Sequence, residues 1–230
     1  MIYQDLTLLS EGQIWGNSSE PQLKVIKKYG TKAAVTDLCV LTGSYLCEDI
    51  DYNIDEDRSL TGRAGWFWTK SGNGHDDACA VIEYGYPGIL FVCARYGAVR
   101  PVLQSSEIFS QITSNRVKGY NGTEEVEYGE YPQYVPDFKT QTILESEYKR
   151  GMNKTGRSYT FDSVKNDASR TRFKPVTYEE YEYQEKKYIR VKANSDFGGN
   201  KFKLSNGVEY RNGDYVWVEV SPVKWLIDDN

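Results

Sequence analysis

A single histidine limits the chemistry open to this chain. His75 lies in Gly72-Asn73-Gly74-His75-Asp76-Asp77, and a nucleophilic triad needs an imidazole as its base. Acid–base or metal chemistry would therefore centre on this segment. Two carboxylates beside an imidazole can serve as a metal ligand set or a general base. A glycine-rich stretch between two strands equally makes a solvated hairpin tip, and that is the expectation.

The alternation Asp49, Asp51, Asn53, Asp55, Asp57 repeats oxygen ligands in the manner of a calcium loop. Ile54, however, stands where such a loop requires Gly, and Leu60 where it requires a bidentate Glu. No metal site is expected there. Nucleotide motifs are also missing: the sequence has no P-loop and no GxGxxG, and Asp196-Phe197-Gly198 has no His-Arg-Asp sequence upstream of it. Cys39, Cys47, Cys79 and Cys93 show no CxxC spacing, so they read as reduced, mostly buried thiols rather than a zinc set. No catalytic residue, metal or cofactor is assigned.

What remains is binding chemistry. Between Lys149 and Lys174 the basic residues Lys154, Arg157, Lys165, Arg170, Arg172 and Lys174 are interleaved with Tyr159, Phe161 and Phe173. Such a segment suits an anionic ligand or a nucleic-acid backbone, or is simply a solvated loop. Arg170, Arg172 and Lys174 are the candidate anion contacts. Conversely, Glu124, Glu125, Glu127 and Glu130, and later Glu179, Glu180, Glu182 and Glu185, alternate with tyrosines that include Tyr181 and Tyr183. On strands this spacing places carboxylates along one face and rings on the other. That face is either a docking surface or the wet side of a sheet.

The elements that must carry these residues are mostly strands. A short helix is expected from Pro21 to Tyr29, stopped by Gly30, and a second from Thr140 to Arg150, stopped by Gly151. Ala33 to Leu41 reads as buried strand or turn. Trp66 to Trp68, Ala78 to Tyr84, Ile89 to Cys93 and Ala98 to Leu103 read as successive strands, and Lys149 to Lys174 as a long loop. Hairpins are expected at Gln184 to Lys186, Asn206-Gly207 and Asn212-Gly213, with a further strand at Pro222 to Ile227. The fold class is thus α+β and β-rich, in two lobes: residues 1–118, and a hairpin-rich lobe at 119–230 with one helix.

At 230 residues, either two small domains or one large one can bury a core. A net charge of −5 opposes broad binding to nucleic acid or anionic membrane. Met1-Ile2-Tyr3-Gln4-Asp5-Leu6 shows no basic start and no apolar run, and no stretch is long enough to span a bilayer. A cytoplasmic location is expected.

Two segments, Gly65-Trp66-Phe67-Trp68-Thr69-Lys70-Ser71 and Arg95-Tyr96-Gly97-Ala98-Val99-Arg100-Pro101-Val102-Leu103, resemble the closing half of a C-type-lectin-like domain. The version they resemble is found in proteins of gut Firmicutes and their mobile elements and is distantly similar to formylglycine-generating enzymes. In the second half of the chain, Tyr128-Gly129-Glu130-Tyr131-Pro132-Gln133, Lys187-Tyr188-Ile189-Arg190 and the segment Trp217 to Leu226 look like the same proteins. The resemblance implies a lectin-like N-terminal lobe that presents loops around His75 and Tyr84 to Pro87. Formylglycine-generating enzymes act through paired cysteines, whereas Cys93 stands alone before Ala94-Arg95, so oxidase activity is not implied. A scaffold of this kind fixes no activity by itself.

The expectation is a non-enzymatic protein that binds a protein partner with a basic surface through Glu124, Glu125, Glu127, Glu179, Glu180, Tyr181, Glu182, Tyr183 and Glu185, with weak or no affinity for free nucleic acid. From a different class comes an anti-CRISPR-like inhibitor, carried by a phage or mobile element, that occupies a nucleic-acid-handling defence enzyme of the host through the same acidic, tyrosine-rich surface. A metal-dependent enzyme built on His75 and Asp49 to Asp57 ranks last.

Overall fold

The computed structural model describes residues 6–31, 35–44, 65–72, 77–82, 85–91, 98–103, 116–118, 124–163, 174–194 and 201–228. His75, Asp49 to Asp57, Tyr84, Cys47, Cys93, Arg170 and Arg172 lie outside them. The chain is β-rich, with more strand than helix. It forms two compact units: residues 1–34, 47–129 and 222–230 make one, and residues 35–46 and 130–221 the other. The units therefore do not follow a linear boundary at 118/119, because a short early segment joins the second unit and the last residues join the first.

In the first unit, β1 (Leu6–Leu8) pairs antiparallel with β6 (Pro101–Leu103). A four-stranded sheet has the order β4 (Pro87–Phe91), β3 (Asp77–Val81), β2 (Phe67–Gly72), β5 (Ala98–Val99), with β2 and β5 parallel. Helix α1 (Glu11–Trp15) begins at a capping box, in which the Ser10 side chain accepts from the Gln13 amide and the Gln13 side chain accepts from the Ser10 amide. The Ser10-x-x-Gln13 spacing is the local sequence signature of this helix start. Helix α2 (Lys24–Tyr29) falls within the expected Pro21 to Tyr29 and stops at Gly30, whose φ of 84° suits a residue without Cβ. Its first turn takes an acceptor from far along the chain, since the Val25 amide donates to Asp228 at 2.9 Å. Leu9, Ile14, Ile26, Phe67 and Val81 form the core.

The second unit is a curled sheet. Its strands are β8 (Glu124–Tyr134), β14 (Tyr215–Leu226), β11 (Lys186–Lys192), β10 (Lys174–Tyr183) and β9 (Lys154–Ser163), in that order. The first residues of β8, which pair with β7 (Arg116–Lys118), and the last of β14 belong to the first unit. Curling brings the outer strands within side-chain reach: Tyr131 of β8 meets Tyr159 and Phe161 of β9 edge-on, with ring centroids 6.1 and 5.9 Å apart, and Arg157 bonds Glu130 at 3.1 Å. One face carries Ile189, Val191, Val216, Val218 and Val220. It packs with α3 (Asp37–Leu41) and with the hairpin β12 (Lys201–Lys203)/β13 (Glu209–Arg211) through Leu38, Leu41, Phe202, Leu204 and Tyr210. The opposite face carries Tyr181, Tyr188 and Trp217 beneath Leu144 of α4 (Phe138–Lys149). Helix α4 is the expected second helix, capped by Asp137 and followed by Gly151 at φ 97°.

Three expectations are corrected. Asp37–Leu41 is helical rather than strand or turn: Thr36 accepts from the Cys39 amide as N-cap, and the apolar run is too short for periodicity to separate helix from strand. Lys154–Ser163 is strand β9 rather than loop; it is paired only with β10 among the described residues, so an open side accounts for its polarity. Pro222 to Ile227 is not a separate strand, since β14 runs unbroken from Tyr215 to Leu226.

The β10–β11 turn closes on Tyr183 and Lys186, with Gln184 at φ 49° and Glu185 at φ 63°. Two-residue turns of this kind favour Asn-Gly because a Cβ is disfavoured at positive φ, by about 1–2 kcal/mol per residue. Replacing Gln184-Glu185 by Asn-Gly is expected to stabilise the second unit by about 1 kcal/mol, read as a higher urea midpoint. An unchanged or lowered midpoint would show that the turn carries no such strain.

Candidate functional site

The register of the curled sheet decides what its α4-covered face presents. Arg190 lies opposite Trp217, and Lys192 opposite Tyr215. Beside α4, Arg190, Lys192 and Tyr215 border a cleft of about 740 Å³, lined among others by Tyr148, Tyr178, Tyr181, Thr177, Glu179, Asn194, Asn212 and Gly213. Arg190 organises it. Its Nε and Nη2 donate to the two carboxylate oxygens of Glu145 at 2.9 and 3.0 Å, and its guanidinium carbon lies over the rings of Tyr215 and Tyr148, 3.7 and 4.8 Å from their centres. A planar cation held by a two-point carboxylate bond and stacked on rings has little freedom left. Tyr148 in turn meets Tyr181 and Trp217 edge-on, at 5.5 and 5.7 Å. Burial raises the Glu145 pKa, but the hydrogen bond and charge of Arg190, with smaller help from the Trp217 indole and Lys149, hold it below the usual carboxylate range. The site is thus a prearranged aromatic surface with its central charge neutralised.

The acidic face expected from sequence is not a single face. Glu179 lines the cleft, and Glu182 and Glu185 are exposed. Glu180, by contrast, is 0% exposed, and its carboxylate accepts from Thr155 at 2.6 Å and Tyr159 at 2.7 Å. The cause is strand alternation itself: Glu180 lies two residues after Tyr178 and opposite Ile189, on the face that packs in the core, while Glu179 points the other way. The register shift beside it lies in β9, where Ser158 to Lys154 spans two more residues than Glu179 to Tyr181. Burial first, and then the Glu180 carboxylate, push the Tyr159 phenol well above its ordinary range. Tyr181 is buried and Tyr183 half-buried. In β8, Glu124 and Glu125 stand opposite Lys118 and Val117, Glu127 is exposed, and Glu130 is bonded to both Lys187 (2.7 Å) and Arg157. Lys174 opens β10 opposite Ser163. Within the second unit the fold therefore does not set Glu179, Glu180, Glu182 and Glu185 on one exposed face. The residues it does bring together, Tyr148, Arg190 and Tyr215, come from a helix and two strands, and no local sequence pattern links them.

Among the described residues no group of three or more His, Cys, Asp or Glu side chains could hold a metal ion, and no helix is long and apolar enough to cross a membrane. No protein-family model matches the chain, and neither a curated protein nor a solved structure does.

Proposed function

We propose that the protein is a non-enzymatic binding protein that recognises a protein partner through the Tyr148–Arg190–Tyr215 cleft of its second unit. The composition of the cleft carries this reading. Tyrosines, asparagines, a threonine and a glycine around one fixed arginine are the residue types that protein-recognition surfaces use: rigid amphipathic rings for area at low entropic cost, and short polar groups for adaptable hydrogen bonds. Arg190 adds preorganisation, which lowers the cost of binding. For the first unit we propose a C-type-lectin-like scaffold. It is supported by the pairing of the two segments that carry the resemblance, since Phe67 and Trp68 lie beside Ala98 and Val99 in one parallel ladder.

Selection of random displayed peptides on the immobilised chain tests the recognition site. Enrichment of a peptide family is expected, and Tyr215→Ala should reduce its capture at least tenfold, because central aromatic anchors typically contribute most of an interface's energy. Enrichment unaffected by Tyr215→Ala, or no enrichment at all, would remove the cleft as the recognition site.

A further inference from the structure

We infer that the cleft receives an acidic segment of the partner, with a carboxylate at Lys192 and an adjoining ring or aliphatic surface on Tyr215; this rests on the reading of the cleft as a protein-recognition site. Among the described residues three charged side chains line it: Glu179, Arg190 and Lys192. Two of them are already matched. Arg190 is held at two points by Glu145, and Glu179 meets Lys154 at 3.8 Å. Lys192 is exposed and forms no ion pair among the described residues, and it stands directly across the ladder from Tyr215. Tyr215 itself is 52% exposed although Arg190 stacks on its ring, so ring surface remains open beside the ammonium group. An anion there completes the charge balance of the cleft, whereas a cation would meet Lys192 unscreened. This reverses the sign expected from the glutamate-rich strands, because the fold has buried Glu180 and bonded Glu130 to Lys187 and Arg157. The chain's net charge of −5 repels an acidic partner at long range. Screening over about 8 Å at physiological salt confines that repulsion, and the recognition acts at contact.

The test titrates end-blocked pentapeptides Gly-Asp-Tyr-Asp-Gly, Gly-Asn-Tyr-Asn-Gly and Gly-Lys-Tyr-Lys-Gly, and separately an oligothymidylate, into the whole chain, followed by NMR at physiological salt. The aspartate peptide is expected to shift the Lys192, Tyr215 and Asn212 signals and to bind about fivefold more tightly than the asparagine peptide, the effect of one exposed charge pair. Lys192→Glu should invert the order of the aspartate and lysine peptides. The inference is overturned if the lysine peptide binds the unaltered chain as well as the aspartate one. It is overturned equally if the oligothymidylate binds more tightly than any peptide, which would assign Lys192 to phosphate, or if millimolar aspartate peptide gives no saturable shift. Equal binding of all three peptides, lost in Tyr215→Ala, would remove the charge assignment while leaving the protein-recognition reading intact.

Discussion

An Asp37→Ala substitution is expected to destabilise the second unit by roughly 3–4 kcal/mol, the upper end of what one polar side chain contributes. Asp37 is 0% exposed, in the first turn of α3. Its Oδ2 accepts from the Val135 amide at 2.8 Å and from the Ser205 hydroxyl, and its Oδ1 accepts from the Ser205 amide at 2.9 Å. One carboxyl group thus ties together a helix, the residue after β8 and the turn after β12. Alanine leaves those donors facing one another without an acceptor, and a buried donor left unmade costs more than the bond contributed when present. Asp37→Asn keeps one carbonyl oxygen and should lose about half as much. Because a chain of two units need not unfold in one step, amide hydrogen exchange at Val135 and Ser205 is the sharper readout, with opening expected to rise at both positions together. A loss below about 1 kcal/mol, or faster exchange at only one of the two, would mean that Asp37 does not join these segments.

What the sequence made legible follows from the range of the physics involved. Local chemistry was readable: the helix that stops at Gly151, the short helix that stops at Gly30, and the turns at Asn206-Gly207 and before Lys186 all depend on a few adjacent residues. Lys154–Ser163 was obscured because an open-sided strand is polar, although Tyr159 and Phe161 already showed a spacing of two toward the core. Asp37–Leu41 was obscured because five residues cannot display a helical period. The acidic face failed for a sharper reason. Adjacent glutamates cannot share a strand face, and alternation puts Glu180 on the side of Tyr178 and Ile189, which packs in the core. The cleft depends on strand pairing across long sequence separations, as when Arg190 meets Trp217 and Glu145 of α4 reaches Arg190. Its residues were visible one by one, but their meeting was not.

Trp217→Ala is expected to be the most costly single change near the cleft, at about 3–5 kcal/mol. The side chain is 1% exposed and packs with Leu144, Tyr181 and Tyr188. Its ring meets Tyr148 and Tyr181 edge-on at 5.7 and 5.6 Å, and its Nε1 donates to Glu145 at 3.3 Å. The backbone is secured separately: Gln141 of α4 donates to the Trp217 carbonyl at 2.6 Å and accepts from its amide at 2.8 Å. Alanine keeps those two bonds but opens a cavity under α4, and rings that lean on the indole lose their support. Trp217→Phe retains most of the volume, gives up only the long indole contact to Glu145, and should cost less than half as much. The two variants therefore separate packing from the hydrogen bond. If Trp217 holds Tyr148 in place over Arg190, the alanine variant should also weaken Tyr215-dependent peptide capture at temperatures where it remains folded, while the phenylalanine variant keeps it. Equal losses of stability in both variants would instead put the contribution of Trp217 in its bond to Glu145. Full peptide capture by a folded alanine variant would show that the cleft is held open by Arg190 and Glu145 alone.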